Sequence, residues 1–451
     1  MNDTIVAIST SLGVGAISII RVSGHDAVDI VSKIYKGKNL HEVNSHTINY
    51  GHIIEGNKIV DEVLVSVMLS PRTFTREDVV EINVHGGIAT TNKVLELLLL
   101  NGCRLAEPGE FTKRAFLNGR IDLIEAEGVM DLINAKTEKS RNLAINQVSG
   151  SVSKLINDLR NELISTLANI EVNIDYPEYD DIEVMTIDMI RDNIKNIRKK
   201  ITTILNKSEN GKIVREGIKT AIIGRPNVGK SSLLNCLLEE DKAIVTDVAG
   251  TTRDIVEGQI SIDGVLLNII DTAGIRETSD IVESIGVEKS LSLIEEADLI
   301  LFVLNQNDTL TFDDQEILKK INNKNSIIII NKIDLDNKIK LENIEDNNIV
   351  KISALNNIGI DELKNKIKKL FNIEKIEQSD YTYLSSARSI SLLKQALDSL
   401  NQVEEGINNN MPIDMVEIDL KDVWSLLGDI IGENYSEELI DQLFSQFCLG
   451  K

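Results

Sequence analysis

Hydrophobic and polar positions change period three times along the chain, and each change marks a different kind of structure. Within residues 1–118, short β-rich apolar runs at 5–9, 16–22, 62–69 and 79–84 alternate with glycine-bearing turns, and one apolar helix is predicted over 90–100. That mixture reads as an α+β domain. From Gly119 onward, Leu155, Leu159 and Leu163 recur every four residues, while Ile187, Ile190, Ile194, Ile197, Ile201 and Ile204 recur at alternating threes and fours. Both spacings line up apolar side chains on one helix face, and the isoleucine stripe predicts the seam of a helical bundle. Pro177 divides the two helical blocks.

After Gly211, apolar runs at 220–223, 265–270, 299–304, 326–330 and 348–352 alternate with helical patterns, the signature of a parallel doubly wound sheet. Helical spacing returns past residue 377, in Leu393, Leu397, Leu400 and Val403 and again in Leu439, Ile440, Leu443, Phe444 and Phe447. The expected architecture is multidomain, α/β and α+β. An N-terminal α+β domain occupies 1–118, and a helical domain with halves at 119–212 and 378–451 is split by an inserted α/β unit at 213–377.

Length agrees with this division, since 451 residues at about 150 per domain give roughly three folding units. Such a chain is neither a peptide hormone nor a disulfide miniprotein. With 48 Lys plus Arg against 71 Asp plus Glu, the net charge of −23 excludes coating of nucleic acid by the overall field. No apolar run approaches the roughly 20 residues that cross a bilayer, so no membrane association is expected. The opening Met-Asn-Asp-Thr is acidic where a signal peptide needs basic residues. Cys103, Cys236 and Cys448 are scattered and odd in number, which indicates neither a disulfide framework nor a zinc site. The expected compartment is the cytoplasm.

The chemistry concentrates in the α/β unit. Gly224-Arg-Pro-Asn-Val-Gly-Lys-Ser231 fits G-x-x-x-x-G-K-[ST] between a predicted strand and a predicted helix. In that setting backbone N–H groups cradle phosphate, Lys230 reaches the β and γ oxygens, and the Ser231 hydroxyl ligates magnesium. Asp271-Thr272-Ala273-Gly274 closes a buried strand, bringing Asp271 toward the magnesium and Gly274 toward the γ-phosphate. Asn331-Lys332-Ile333-Asp334 closes the next strand but one, and a fixed carboxylate there accepts two hydrogen bonds from guanine, which adenine cannot offer. Ser353-Ala354-Leu355 follows the last strand and supports the base. In the switch I segment Thr246-Asp247-Val248-Ala249-Gly250-Thr251-Thr252, Thr252 completes the magnesium shell. The expected GTP contacts are these segments together with Asn227, Val228, Gly229 and Ser232. Order, spacing and strand context resemble the translation-factor-related GTPases. Ile275 stands where many of them carry the glutamine that orients the attacking water, so the hydrolytic machinery must come from elsewhere.

The inserted α/β unit, the run Asp271-Thr-Ala-Gly-Ile-Arg-Glu277 and the closing Phe447-Cys-Leu-Gly-Lys451 together resemble the MnmE (TrmE) family of tRNA uridine modification GTPases over essentially the whole chain. The resemblance implies a potassium ion held by Asn227 with Thr246, Val248 and Thr251, offsetting charge that develops as the phosphoryl group transfers. It implies Glu283 as the residue that positions water, joining Lys230 as a catalytic group. It also implies that the N-terminal domain dimerises and binds a tetrahydrofolate derivative, in the 5-formyl or methylene form, through Arg21, Glu81 and Arg120. The C-terminal tail is then expected to reach that pocket, with Cys448 and Lys451 acting there. Two segments depart from the family pattern: Ser11-Leu12 stands where proline is common, and Ser386-Ala-Arg-Ser389 replaces an Asn-x-Arg-His type element.

The function so implied is that of a potassium-dependent, homodimeric GTP hydrolase. With an FAD-dependent MnmG (GidA)-like partner, in a heterotetramer, it adds a (carboxymethyl)aminomethyl group to C5 of the wobble uridine (position 34) of certain tRNAs, the tRNA being bound mainly by the partner. The alternative, a ribosome-assembly or RNA-binding switch GTPase, usually carries a basic RNA-binding module, and nothing after residue 377 offers one. A signalling GTPase without chemistry of its own leaves the folate residues and the terminal cysteine unexplained.

Overall fold

The computed structural model describes residues 3–175, 187–240, 258–270, 292–339, 348–373, 382–447 and 449–450. The first strands, β1 (Ile5–Ile8), β2 (Ile17–Ser23), β3 (Tyr35–Gly37), β4 (Thr47–Glu55), β5 (Lys58–Met68), β6 (Val79–His85) and β7 (Arg104–Leu105), form one sheet in the order β3-β4-β5-β6-β2-β1-β7. Every pairing is antiparallel except β1 with β7. The period-two alternation gives the sheet one dry face, where Ile20, Val22, Val65, Val80 and Ile82 pack beneath the helices Ala27–Ile34 and Ile88–Leu100. Its other face leaves Ile17, Ile48, Tyr50 and Leu64 exposed.

The sequence pattern predicts one helix in this region, whereas the structure has three: Ala27–Ile34 and Glu110–Leu117 are added to Ile88–Leu100. Each added helix has eight residues, too few for a stripe to register. Strand β4 escapes the pattern for a different reason. Its buried positions include Asn49 and Gly51, not large hydrophobes. Tyr35 lies across Gly51, where a Cβ would come within 2.4 Å of the ring, and its hydroxyl donates to the Tyr50 carbonyl at 2.7 Å.

The inserted unit is built on a six-stranded sheet in the order β13-β12-β11-β8-β10-β9. Its strands are β8 (Ile218–Ile223), β9 (Gln259–Ile262), β10 (Val265–Ile269), β11 (Leu299–Asn305), β12 (Ser326–Asn331) and β13 (Ile349–Lys351). β11 and β12 are buried at every position, as strands covered on both faces must be. The sheet is not wholly parallel, as the pattern suggests, because β9 runs antiparallel to β10. The cause is Asp263-Gly264, with φ of 46° and 73°, the left-handed pair that closes a two-residue hairpin.

The helices Ser151–Asp175, Ile187–Glu216, Ala387–Asn408 and Ile413–Ile431 share one core containing Leu159, Leu163, Ile194, Ile201, Leu393, Leu400, Leu420 and Leu427. Residues from both sides of the insertion thus make one helical domain. The Ser386 departure falls on the first turn of the third helix, where Ser386 Oγ accepts from the Ser389 N–H at 3.1 Å and caps it. Arg388 then ties that end down, donating to Glu127 Oε1 (3.0 Å) and to the Asp429 (2.9 Å) and Ile430 (3.0 Å) carbonyls.

Bundle and sheet meet at Gly217, whose φ is 75° and where a Cβ would lie 2.7 Å from both Asn268 Nδ2 and the Leu266 carbonyl. Asn268 donates to the Glu216 carbonyl at 2.7 Å, and Lys136 donates to Gln259 at 2.9 Å, so the β9–β10 hairpin is bonded to the helical domain. Arg215 pairs with Asp131 at 2.8 Å beside this junction. Among the described residues, no helix is long and apolar enough to cross a membrane.

Candidate functional site

β8 runs directly into the phosphate-binding loop, in which Gly224 and Gly229 have φ of 147° and 102°. Any side chain would strain that backbone and would also collide: a Cβ on Gly224 would lie 2.3 Å from the Val303 carbonyl, and one on Gly229 would lie 2.1 Å from Asn331 Nδ2. Asn227 between them is left-handed too, with φ of 62°, a conformation its short polar side chain tolerates. Ser231 and Ser232 fall in the first turn of the helix Lys230–Glu240, whose leading N–H groups lack intrahelical partners and suit an anion. Lys230 Nζ donates to the Gly224 (2.7 Å) and Arg225 (2.8 Å) carbonyls, and burial pushes its ammonium below the usual lysine range. A partly desolvated cation held across a ring of donors fits phosphate oxygens.

One buried amide stitches three motifs that lie far apart in sequence. Asn331 Nδ2 donates to the Val228 carbonyl at 2.9 Å, while its Oδ1 accepts from the N–H groups of Lys332 (2.8 Å) and Ala354 (3.0 Å). Lys332 Nζ donates to the Asn227 carbonyl at 2.8 Å. Ser353 Oγ donates to Asp334 Oδ1 at 2.6 Å, fixing the carboxylate that its motif leads one to expect at the guanine. Leu355 stands exposed beside this cluster. Sequence reasoning missed Arg225, which pairs with the fully buried Asp314 at 3.1 Å and anchors the loop to the helix Phe312–Ile321.

In the N-terminal sheet, Arg21 and Glu81 face one another across the β2–β6 register, and Arg21 Nε donates to Glu81 Oε1 at 2.8 Å. The Arg21 guanidinium lies 5.6 Å from the centre of the Phe111 ring, and that of Arg120 lies 4.8 Å from the Phe74 ring. Phe74 packs against the small core that contains Phe111, so the three charged residues border one aromatic cluster, although only Arg21 and Glu81 touch. Cationic groups, a carboxylate and aromatic faces match the carboxylates and ring of a folate.

The tail residue Gly450 reaches the same sheet. Ser9 Oγ donates to its carbonyl at 3.1 Å, and a Cβ on Gly450 would lie 2.4 Å from the Ile8 carbonyl. Ile8 pairs with Ile20, the neighbour of Arg21. Upstream, the Phe444 carbonyl and Phe447 cover Gly109, where a Cβ would lie 2.5 Å and 2.8 Å from them, and Lys113 pairs with Asp441. Neither Ser9 nor Gly109 carries a sequence signal. Beneath this region Arg114, fully buried, bonds Asp3 (2.8 Å), Glu77 (3.1 Å) and Glu110 (2.9 Å). Burial opposes ionisation of Glu110, yet hydrogen bonds from Arg104, the Glu107 N–H and Arg114 hold its carboxyl below the usual range.

Comparison with known proteins identifies the family along both parts of the chain. The family described as MnmE helical domain matches residues 123–448, and that described as GTP-binding protein TrmE N-terminus matches residues 4–120. The tRNA modification GTPase MnmE of Bacillus mycoides (strain KBAB4) is 57% identical over 455 residues, covering 100% of this chain and 99% of that relative. Its counterpart from Streptococcus thermophilus (strain CNRZ 1066) is 56% identical over 451 residues, covering 100% of this chain and 98% of its own. The chain belongs to the MnmE family of tRNA modification GTPases. As an MnmE-family protein it is a GTP hydrolase acting in tRNA modification.

Several expected residues of the MnmE site lie outside the described residues: Thr246, Asp247, Val248, Ala249, Gly250, Thr251 and Thr252 of switch I, Asp271, Thr272, Ala273 and Gly274, and Glu283, Cys448 and Lys451. Of the potassium and magnesium ligand sets, the described members are Asn227 and Ser231, both at the phosphate loop.

Proposed function

We propose that this chain is a cytoplasmic, homodimeric, potassium-dependent GTPase that installs a (carboxymethyl)aminomethyl group on the wobble uridine with an FAD-dependent MnmG-like partner and a folate one-carbon unit. In this reading residues 1–118 bind folate and dimerise, 213–377 hydrolyse GTP, and the helical halves at 119–212 and 378–451 join them. The observation that carries the one-carbon part is the meeting of the Arg21–Glu81 pair and the Gly450 tail on adjoining strands. Arg21 and Arg120 hold the folate carboxylates and Glu81 bonds the ring edge, while Cys448 and Lys451 act from the tail. Ser231 and Thr252 hold magnesium; Asn227, Thr246, Val248 and Thr251 hold potassium, which supplies positive charge where phosphoryl transfer develops negative charge. Glu283 positions the water. The exposed apolar face with Ile17, Ile48, Tyr50 and Leu64 supports a second copy of the chain on that sheet.

Titration calorimetry with 5-formyltetrahydrofolate tests this. Binding to the full chain should be weakened by Arg21→Ala or Glu81→Ala while GTP affinity stays intact, since the two sites lie on different sheets. A folded protein that binds no folate removes the one-carbon role.

A further inference from the structure

The helices Ser151–Asp175 and Ile187–Glu216 leave between them a cleft of about 1210 Å³ that neither the GTP site nor the folate site uses. Its apolar lining is Leu159, Ile197 and Ile204, which belong to the bundle core, and Leu155, which is partly buried against it. Apart from two acids the remaining lining is amide, hydroxyl and ammonium, with Asn169, Asn193, Asn196, Lys199, Lys200 and Lys207 most prominent. The acids of the cleft are Asp158 and Glu162, and Glu162 is already paired with Lys200. Among the described residues no aromatic ring and no exposed apolar anchor lines it, so they offer little of what a protein partner grips.

Charge points to a polyanion. In a chain of net charge −23, the cleft is lined by Lys199, Lys200 and Lys207 against Asp158 and Glu162, and Lys195 and Arg198, the latter paired with Glu404, add basic charge on the same helix outside it. The lining of each wall runs from Leu155 to Asn169 and from Asn193 to Lys207, about 21 Å at a helical rise of 1.5 Å per residue. That length follows several successive phosphates of one strand, at roughly 3.4 Å each in a duplex, and exceeds what a mononucleotide fills. Asn amides and Thr hydroxyls beside lysines suit ribose and phosphate oxygens.

We propose that this cleft is a docking surface for RNA backbone, with tRNA as the RNA, a step that rests on the chain's place among tRNA modification GTPases. It gives this chain its own hold on tRNA, through phosphates and not through base sequence.

Fluorescence anisotropy of a labelled unmodified tRNA transcript against the full chain, at several KCl concentrations, provides the test. The double variant Lys199→Ala/Lys207→Ala should bind about tenfold more weakly near 0.1 M salt and flatten the salt dependence by about one ion per lysine. Lys319→Ala/Lys320→Ala, on the helix Phe312–Ile321, should leave binding unchanged, and GTP hydrolysis without tRNA should be unaffected in both variants. If the double variant fails to fold, protection of Lys199 and Lys207 from acetylation by tRNA on the wild-type chain gives the same answer. Unchanged affinity and slope in a folded variant, or no protection, overturns the cleft alone. A wild-type chain that binds no tRNA overturns the reading beneath it as well. A variant that keeps tRNA but loses a protein partner overturns the proposal in favour of a protein surface.

Discussion

The GTP site and the N-terminal charged site are built by opposite strategies. The GTP site is made of loops at strand ends, and its working atoms are largely backbone: the Val228 and Asn227 carbonyls, the Ala354 N–H, and the path left open by Gly224 and Gly229. Backbone geometry of that kind demands particular residues at particular spacings, so it is written as a motif. The N-terminal site is made of side chains from different strands, Arg21 on β2 and Glu81 on β6, brought together by sheet register and by a tail from the far end of the chain. Nothing in the spacing of those residues announces them. A site of contiguous loops is thus legible in one sequence, and a site of converging side chains is legible only through a fold.

Separating the two sites by mutation sharpens this contrast. The largest effect is expected from Arg114→Ala, which removes a fully buried guanidinium from between Asp3, Glu77 and Glu110 and should cost about 3–5 kcal/mol of N-terminal stability with no change in GTP affinity. Urea unfolding monitored alongside GTP binding checks it, and a parallel loss of both would mean that the sites are not independent. The same network predicts acid sensitivity. Glu110 titrates lower when folded, so its contribution is present above the ordinary glutamate range and is lost as pH falls through its lowered value. Wild-type stability should therefore fall as pH drops below the ordinary glutamate range, and fall less in Arg114→Ala.

Next in size, Glu283→Ala should lower the kcat of GTP hydrolysis roughly a hundredfold with nucleotide affinity retained, and wild-type hydrolysis should run faster in potassium than in sodium. Stopped-flow assays in the two salts measure both; equal rates with a fully active variant reject the proposed hydrolytic arrangement. Asp334→Asn should cost about tenfold in GTP affinity and favour xanthosine nucleotides, since an amide presents a donor where the guanine amino group needs an acceptor. The smallest change belongs to neither site: Ser386→Ala should cost about 1 kcal/mol in a thermal melt and leave both ligands bound, because it removes only a helix cap.

Legibility followed the same physical divide across the fold. The isoleucine stripe from Ile190 to Ile204 is buried as its spacing predicts, because a bundle seam repeats over many turns. The eight-residue helices and β4 were hidden because their signals are short or inverted, as at Asn49 and Gly51. Antiparallel β9 was available in Asp263-Gly264 and was outweighed by the run of parallel strands around it. At the GTP site the motifs named the residues, while the bonds joining them, such as Lys332 to Asn227, needed three dimensions. Arg21 and Glu81 came from resemblance; Ser9, Gly109 and Arg225 had no motif to carry them.

The junction at Gly217 has a mechanical meaning. The 30-residue helix Ile187–Glu216 extends about 45 Å from this point, while the β9–β10 hairpin bonded at Glu216 and Lys136 connects residues 241–257 to 271–291, the segments proposed to carry switch I and the magnesium aspartate. A tilt of about 10° at the junction would sweep the far end of that helix through about 8 Å. With that geometry, a long pointer on a short arm, a small shift of the hairpin would become a displacement at the helix's far end large enough for a macromolecule to feel.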